Sequence, residues 1–146
     1  MMRIAVDAMG GDHAPPVVVD GAVAASRHSD ATLLLVGAAA DLDRALARHR
    51  DRSSLPIEIV DAGEVIAMTE SPAAALRRKP RASIRVAAEL LARREAVALV
   101  SAGHTGATVM ATHAAVGMID GVDRPALAAA IPTRARPAVL LDAGAN

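Results

Sequence analysis

Short apolar runs alternate along this chain with longer segments in which apolar residues recur at helical spacing. The short runs predict strands over residues 3–7, 32–36, 56–60, 96–100, 126–131 and 138–141. The longer segments predict helices over residues 17–27, 41–50, 71–78, 82–94 and 105–119. Strands that alternate with helices are typical of an α/β fold, in which helices cover both faces of a mostly parallel sheet. The pattern therefore predicts this architecture.

Three of the apolar runs end in a small polar loop that contains glycine. The loops are residues 7–12 (DAMGGD), 101–106 (SAGHTG) and 142–146 (DAGAN). Loops at the carboxyl ends of parallel strands are where α/β proteins bind small molecules. Glycine lets backbone N–H groups come close to an anion. We therefore expect the three loops to surround one site.

The first loop places two carboxylates around two glycines, at Asp7, Gly10, Gly11 and Asp12. One interpretation is a backbone cradle for an anionic group, with Asp7 orienting a substrate. The other is a tight turn between a strand and a helix, with Asp12 as the helix cap. The loop matches neither the Gly-x-Gly-x-x-Gly pattern of dinucleotide sites nor the Walker loop.

The second loop is the strongest candidate site. Ser101, His104 and Thr105 offer side-chain hydrogen bonds, and Gly103 and Gly106 relax the backbone. A helix that begins near Thr105 directs its free N–H groups and its positive dipole end at the loop, which favours an oxyanion. The alternative is an ordinary helix start with Thr105 as the N-cap.

Composition excludes several classes of function. The formal net charge is zero and Phe, Tyr and Trp are absent, so neither a basic surface nor a base-stacking platform for nucleic acid is expected. Without Cys, thiolate chemistry is excluded. No histidine spacing predicts a metal site, and no cofactor is expected.

Lys79 is the single lysine among 16 basic residues, in an arginine-rich run at 77–81 with Ser83 nearby. Such a run can bind a phosphorylated or acidic group. It can also be a solvated surface, which is the usual fate of clustered charges. The rarity of lysine in this chain favours a functional role for Lys79.

The loops also carry a family resemblance. In chain order, the motifs are DAMGGD at 7–12, RKP at 78–80 with Ser83, SAGHTGA at 101–107, GVDRPAL at 121–127 and LDAGAN at 141–146. Together they closely resemble the amino-terminal part of the bacterial phosphate acyltransferase family PlsX, over essentially all of the chain. The resemblance implies a fold similar to isocitrate and isopropylmalate dehydrogenases and to phosphotransacetylases. Because family members are longer, residues 1–146 are expected to be the amino-terminal part of a single α/β acyltransferase domain that is truncated at the C-terminus.

The resemblance implies that a fatty acyl group moves from acyl carrier protein to inorganic phosphate. The acyl phosphate product would feed phosphatidic acid synthesis, and the enzyme would be a cytoplasmic homodimer that associates peripherally with membranes. One alternative is a phosphate acetyl- or butyryltransferase that uses acyl-CoA. Another is a non-catalytic fragment or dimerisation module.

The expected site residues follow from the loops and the resemblance together. We expect phosphate or oxyanion binding at Lys79 and at the helix start, orientation by Asp7 and Asp142, and donation to the thioester carbonyl by Asn146. His104 stands where the family loop usually has Asn; it can still donate a hydrogen bond, but unlike Asn it can gain charge near neutral pH. The predicted catalytic residues are Asp7, Lys79, His104 and Asn146. The predicted binding residues are Gly10, Gly11, Asp12, Ser83, Ser101, Gly103, Thr105, Gly106, Asp142 and Gly144.

Overall fold

The computed structural model describes residues 2–142, in which a parallel four-stranded sheet is flanked by helices on both faces. The strands are β1 (Arg3–Asp7), β2 (Thr32–Gly37), β3 (Ile57–Asp61), β4 (Ala98–Ser101), β5 (Ala128–Ile131) and β6 (Ala138–Leu141). The α-helices are α1 (Pro16–Ser26), α2 (Ala39–Leu46), α3 (Pro72–Arg78), α4 (Ser83–Ala92) and α5 (Thr105–Val116). The sheet order is β3-β2-β1-β4, and all three pairings in it are parallel. The predicted α/β architecture is confirmed.

Alternation along β2 divides its side chains between two apolar clusters, because successive side chains of a strand point to opposite faces. Leu33 and Leu35 pack with α1 and α2 on one face of the sheet. Leu34 and Val36 pack with α4 on the other. With helices over both faces, every residue of β2 is buried, as expected of an inner strand in a parallel sheet.

Helices α3 and α5 extend the second face beyond α4. Ala107 and Ala111 of α5 are buried in a third cluster with Ala88 and Ile84 of α4 and Ala75 of α3. Small side chains let helix axes approach closely, so α5 can lie against α4 directly. This packing holds the first turn of α5 at the carboxyl edge of the sheet.

Several predicted helix ends fall too late in the sequence. The helix predicted over 41–50 ends at Leu46, and the one predicted over 105–119 ends at Val116. Gly117 follows α5 with a φ of +81°, a positive value that glycine adopts without strain and that an α-helix does not contain. Apolar residues beyond Val116 extended the helical pattern in the sequence, but they lie after this stop.

The last two strands do not join the parallel sheet. β5 and β6 pair with each other in an antiparallel two-stranded sheet, with Ala128 opposite Leu141. Residues 143–146 of the loop after β6 lie outside the described residues, so the expectation that this loop meets the other two stays a prediction. A short connection favours antiparallel pairing, because a parallel return needs a crossover of a dozen or more residues.

Candidate functional site

The ends of β1 and β4 lie side by side and form the centre of the site. Parallel pairing sets Asp7 directly opposite Ser101. Ser101 Oγ donates to Asp7 Oδ2 at 2.7 Å, and the backbone N–H of Gly103 donates to Ser101 Oγ at 3.1 Å. Asp7 is only 3% exposed, so this hydroxyl compensates for part of the water that the carboxylate loses on burial.

Glycine is required where the first two loops meet. A Cβ on Gly10 would lie 2.6 Å from Asp7 Oδ2 and 2.8 Å from the backbone nitrogen of Gly103. A Cβ on Gly103 would lie 3.0 Å from the Cα of Gly10. Gly11, with a φ of +113°, sits beside the carbonyl of Ala102. The two loops therefore touch backbone to backbone, which larger residues would prevent.

Helix α5 begins at Thr105, with His104 as the N-cap residue and no side-chain cap. The alternative in which Thr105 caps the helix is wrong, because Thr105 is already helical. Asp12 does not cap α1 either: Pro15 holds the N-cap position and makes no capping hydrogen bond. The first N–H groups of α5, which no side chain caps, are the kind that bind anions at helix starts.

The His104 imidazole folds back over the first turn of α5. A Cβ on Gly106 would lie 3.3 Å from Cε1 and 3.5 Å from Nδ1 of His104, so Gly106 leaves room for the ring. The Nδ1 atom is buried and has no hydrogen-bond partner among residues 2–142. A buried imidazole nitrogen without a partner is unfavourable, so we expect a water molecule or a ligand to bond this atom.

A small pocket opens between these loops and α4. Its polar side chains are Asp7, Ser83 and His104, beside the backbones of Gly10 and Gly103. Its apolar wall comes from Val65, Ile66, Ile84 and Ala107. Ser83 is 2% exposed, and its hydroxyl makes no hydrogen bond within the described part of the chain. The sequence reasoning missed this wall, although an apolar pair in a long connection was a signal for it.

Lys79 lies outside the residues that line this pocket. Its ammonium is 2.5 Å from Glu70 Oε2 and 2.6 Å from the carbonyl oxygen of Val65. The hydrogen bond from Lys79 holds the pKa of the Glu70 carboxyl below its ordinary value. Lys79 thus reaches the pocket through the backbone of Val65, and direct phosphate binding by Lys79 stays a prediction.

Residues 62–71, which we call the wall segment, are held against the start of α4 at a second point. The Ser83 N–H donates to the Glu64 carbonyl at 3.0 Å, and the Glu64 N–H donates to the Arg81 carbonyl at 3.2 Å. The Glu64 side chain also accepts from the Arg81 N–H at 2.8 Å. These bonds set Val65 and Ile66 at the pocket.

The remaining predicted residues differ in position. Asp12 and Thr105 are exposed near the loops. Asp142 follows β6, outside the parallel sheet, and has a φ of +60°. Gly144 and Asn146 lie outside the described residues, so the third loop is placed only at its first residue.

Two features are absent from residues 2–142. No group of three or more His, Asp or Glu side chains there is arranged to hold a metal ion. Nor does any helix in that range combine the length and the apolar character that a bilayer crossing needs.

Comparison with known proteins agrees with the family that the sequence motifs resemble. Residues 2–146 match the model of a family described as fatty acid synthesis protein. The chain is 47% identical to the phosphate acyltransferase of Acaryochloris marina over 146 residues and 49% identical to that of Heliobacterium modesticaldum over 145 residues. Each alignment covers 99% of this chain. The same alignments cover 42% and 43% of those relatives, so the chain spans about two fifths of their length.

Proposed function

This chain belongs to the fatty acid synthesis protein family, and we propose that its protein transfers a fatty acyl group from acyl carrier protein to inorganic phosphate. The relatives named phosphate acyltransferase support transfer of an acyl group to phosphate. The acyl carrier protein donor comes from the motif resemblance. In the same proposal, the acyl phosphate serves phosphatidic acid synthesis, and the protein is a cytoplasmic homodimer that contacts the membrane peripherally.

The observation that carries the proposal is the contact between Gly10 and Gly103 beside a buried carboxylate and a helix start. The backbone N–H groups at the start of α5 are fixed before the ligand arrives, so little reorganisation accompanies binding. Phosphate is itself the nucleophile, and no activated Ser or Cys is required. Positioning and charge stabilisation can then supply most of the rate.

The reaction balances without a cofactor. An oxygen of hydrogen phosphate attacks the thioester carbonyl carbon and forms a C–O bond, giving a tetrahedral oxyanion. Collapse of this intermediate breaks the C–S bond, and the proton released from hydrogen phosphate ends on the departing thiolate. The products are an acyl phosphate and the free thiol of the carrier.

Each polar group at the pocket has a role in this scheme. The N–H groups at the start of α5 hold the phosphate, and Asp7 orients the loop through its bond with Ser101. The roles of Lys79, Asp142, Gly144 and Asn146 are retained from the sequence as predictions.

The test measures acyl phosphate formation from inorganic phosphate with acyl-acyl carrier protein and, separately, with acyl-CoA as donor. We expect the carrier-bound donor to be preferred. Asp7→Asn replaces the charged acceptor of the Ser101 hydrogen bond with a weaker neutral one, so the loop is held less firmly and the rate should fall by about tenfold. Asp43→Asn on the exposed surface of α2 is the matched control and should leave it unchanged.

Each contrary result removes a defined part of the proposal. Preference for acyl-CoA would replace the donor and favour the acetyl- or butyryltransferase alternative. Failure to form acyl phosphate from either donor would remove the activity itself. An unchanged rate in Asp7→Asn would show that Asp7 has no role in the reaction.

A further inference from the structure

We propose that His104 binds the oxyanion in its doubly protonated form, so that anion binding in this pocket takes up one proton. The inference rests on the proposed function, because the anion concerned is the phosphate substrate. It adds a property that neither the family nor the loop geometry requires: affinity for the anion that falls as pH rises.

The pocket already holds one negative charge, the Asp7 carboxylate. This residue is almost completely buried. A phosphate placed beside it would bring like charges together in a poorly solvated space, which is strongly unfavourable without compensation. Some positive charge or proton must therefore accompany the anion.

His104 is the one side chain lining this pocket, within the described residues, that can become a cation. The charged groups of the surrounding elements are either engaged or exposed. Three ion pairs engage most of them: Glu70 with Lys79, Arg81 with Asp61 and Arg85 with Glu89. The Glu64 side chain accepts the Arg81 backbone N–H, and Arg78 is 3.9 Å from Glu70. Arg77 borders a separate groove, and Asp12 and His113 are exposed. We assign the proton to His104 on this ground; Asp7 is the other lining group that can accept one, and the His104→Asn variant below separates the two.

The His104 ring presents a buried nitrogen atom at the pocket. Nδ1 of His104 is buried without a partner, so a proton there would be unsatisfied until an acceptor arrives. An oxyanion supplies that acceptor, and a hydrogen bond between a charged donor and an anion is roughly twice as strong as a neutral one. Binding therefore favours the protonated ring.

Ser83 offers a second hydrogen-bonding group at the same pocket. It is 2% exposed and lines the pocket beside His104. A hydroxyl can donate to an anion at any pH near neutrality. Ser83 should strengthen binding without making it depend on pH, which separates its effect from that of His104.

The test uses sulfate as the probe, because its charge is constant near neutral pH whereas that of phosphate changes. Calorimetry on the full chain measures affinity at about pH 6 and about pH 8, where one coupled proton can change affinity by tenfold or more. Repeating the titration in buffers of different ionisation enthalpy measures the protons taken up. We expect sulfate to bind about tenfold more weakly at the higher pH, with net proton uptake on binding between the two pH values.

Three variants locate the effect. His104→Asn keeps a hydrogen-bond donor but cannot gain charge, so its affinity should be the same at both pH values. His113→Asn makes the same change at an exposed position of α5 and should behave like the wild type. Ser83→Ala should lose about threefold in affinity at both pH values, the cost of one hydrogen bond.

The failures are distinguishable. If wild-type affinity is equal at both pH values while acyl phosphate still forms, the proton linkage is overturned and the proposed function stands. Proton uptake that persists in His104→Asn assigns the proton to another group and also overturns the inference. If neither sulfate nor phosphate binds at either pH, the oxyanion site itself fails, and with it the proposed function at this pocket.

Discussion

Strands β2 and β6 have similar apolar sequences and opposite environments. Thr32–Gly37 reads TLLLVG, and every residue of it is buried. Ala138–Leu141 reads AVLL, and every residue of it is exposed. The first lies between two paired strands with helices over both faces, whereas the second belongs to a two-stranded sheet. Burial is therefore set by the position of a strand in the fold, and apolar composition alone does not determine it.

The loops that follow the strands differ in the same way. The loops after β1 and β4 are pressed together by the packing of the parallel sheet, and they form the pocket. The loop after β6 begins outside that sheet. The first two loops meet because their strands are neighbours whose carboxyl ends lie at the same edge of the sheet. This contrast between the packed sheet and the β5–β6 sheet can be tested directly.

The largest effect is expected from truncating matched leucines in the two strands. Leu35 is 0% exposed and Leu140 is 51% exposed. Leu35→Ala should lower the free energy of unfolding by about 2–5 kcal/mol, because it leaves a cavity in the core. Leu140→Ala should change it by less than about 0.5 kcal/mol. Denaturant unfolding measures both, and equal losses would mean that β6 is covered in solution.

A smaller effect is expected from adding one methyl group at the loop junction. In Gly103→Ala the new Cβ would lie 3.0 Å from the Gly10 Cα. Neither backbone can yield cheaply, so the variant should lose about 1–3 kcal/mol of stability. Displacement of the loop should also reduce acyl phosphate formation by about tenfold or more.

Gly63 provides the control for this substitution. A Cβ there would meet nothing within 4 Å, so Gly63→Ala should preserve both activity and stability. Normal activity in Gly103→Ala would show that the close approach of the two loops is not needed for catalysis.

The third prediction distinguishes two roles for Lys79. If Lys79 acts by holding the wall segment, Lys79→Met and Glu70→Gln should each raise the KM for phosphate by about threefold, because a solvent-screened ion pair contributes little. Arg78→Met is the control, because Arg78 is exposed and 3.9 Å from Glu70. An effect of Lys79→Met that Glu70→Gln does not share would instead support direct contact with phosphate.

The pKa of Glu70 fixes the sign of the pH dependence for this ion pair. The Lys79 hydrogen bond lowers that pKa, so the stabilisation is fully present above the ordinary pKa of glutamate. It is lost as pH falls through the lowered value, when the carboxylate gains a proton. At low pH, the wall segment of the wild type should therefore open as readily as that of Glu70→Gln. Amide hydrogen exchange of this segment, measured as pH is lowered, compares the two proteins.

The smallest effect is expected at an exposed position of a helix. Gly21 lies in α1, and a Cβ there would meet nothing within 4 Å. Gly21→Ala should raise stability by about 0.5–1 kcal/mol, because alanine loses less backbone entropy in a helix. Gly117→Ala, at a φ of +81°, should be destabilising instead. Thermal unfolding of the pair tests whether conformation, rather than size, decides the sign.

Much of the fold and the family was predictable from local patterns. The limits predicted for β1 agree with the structure, and the short helix predicted at 71–78 matches α3 to within one residue. The ordered motifs predicted the phosphate acyltransferase family, which the comparisons confirm. These successes share a cause: strand alternation, helix starts at proline and glycine loops are encoded in adjacent residues.

The site was predictable in part. The sequence placed Asp7 and Ser101 each at the end of a strand, but their hydrogen bond joins residues 94 positions apart. The partner of Lys79 also depends on how the wall segment folds back against α3, and no local spacing predicts it. The pairing of β6 with β5 likewise depended on competition between possible strand partners.

The sequence by itself determined which segments can form strands and helices and which loops can approach an anion. It also determined that one of these loops carries a histidine, His104. The tertiary structure alone decided which loops meet, which cation is already engaged and which apolar strand is buried. The physical reason is that propensity and alternation act between neighbours in the chain. Burial and charge pairing act between groups that are brought together only when the sheet and its helices have packed.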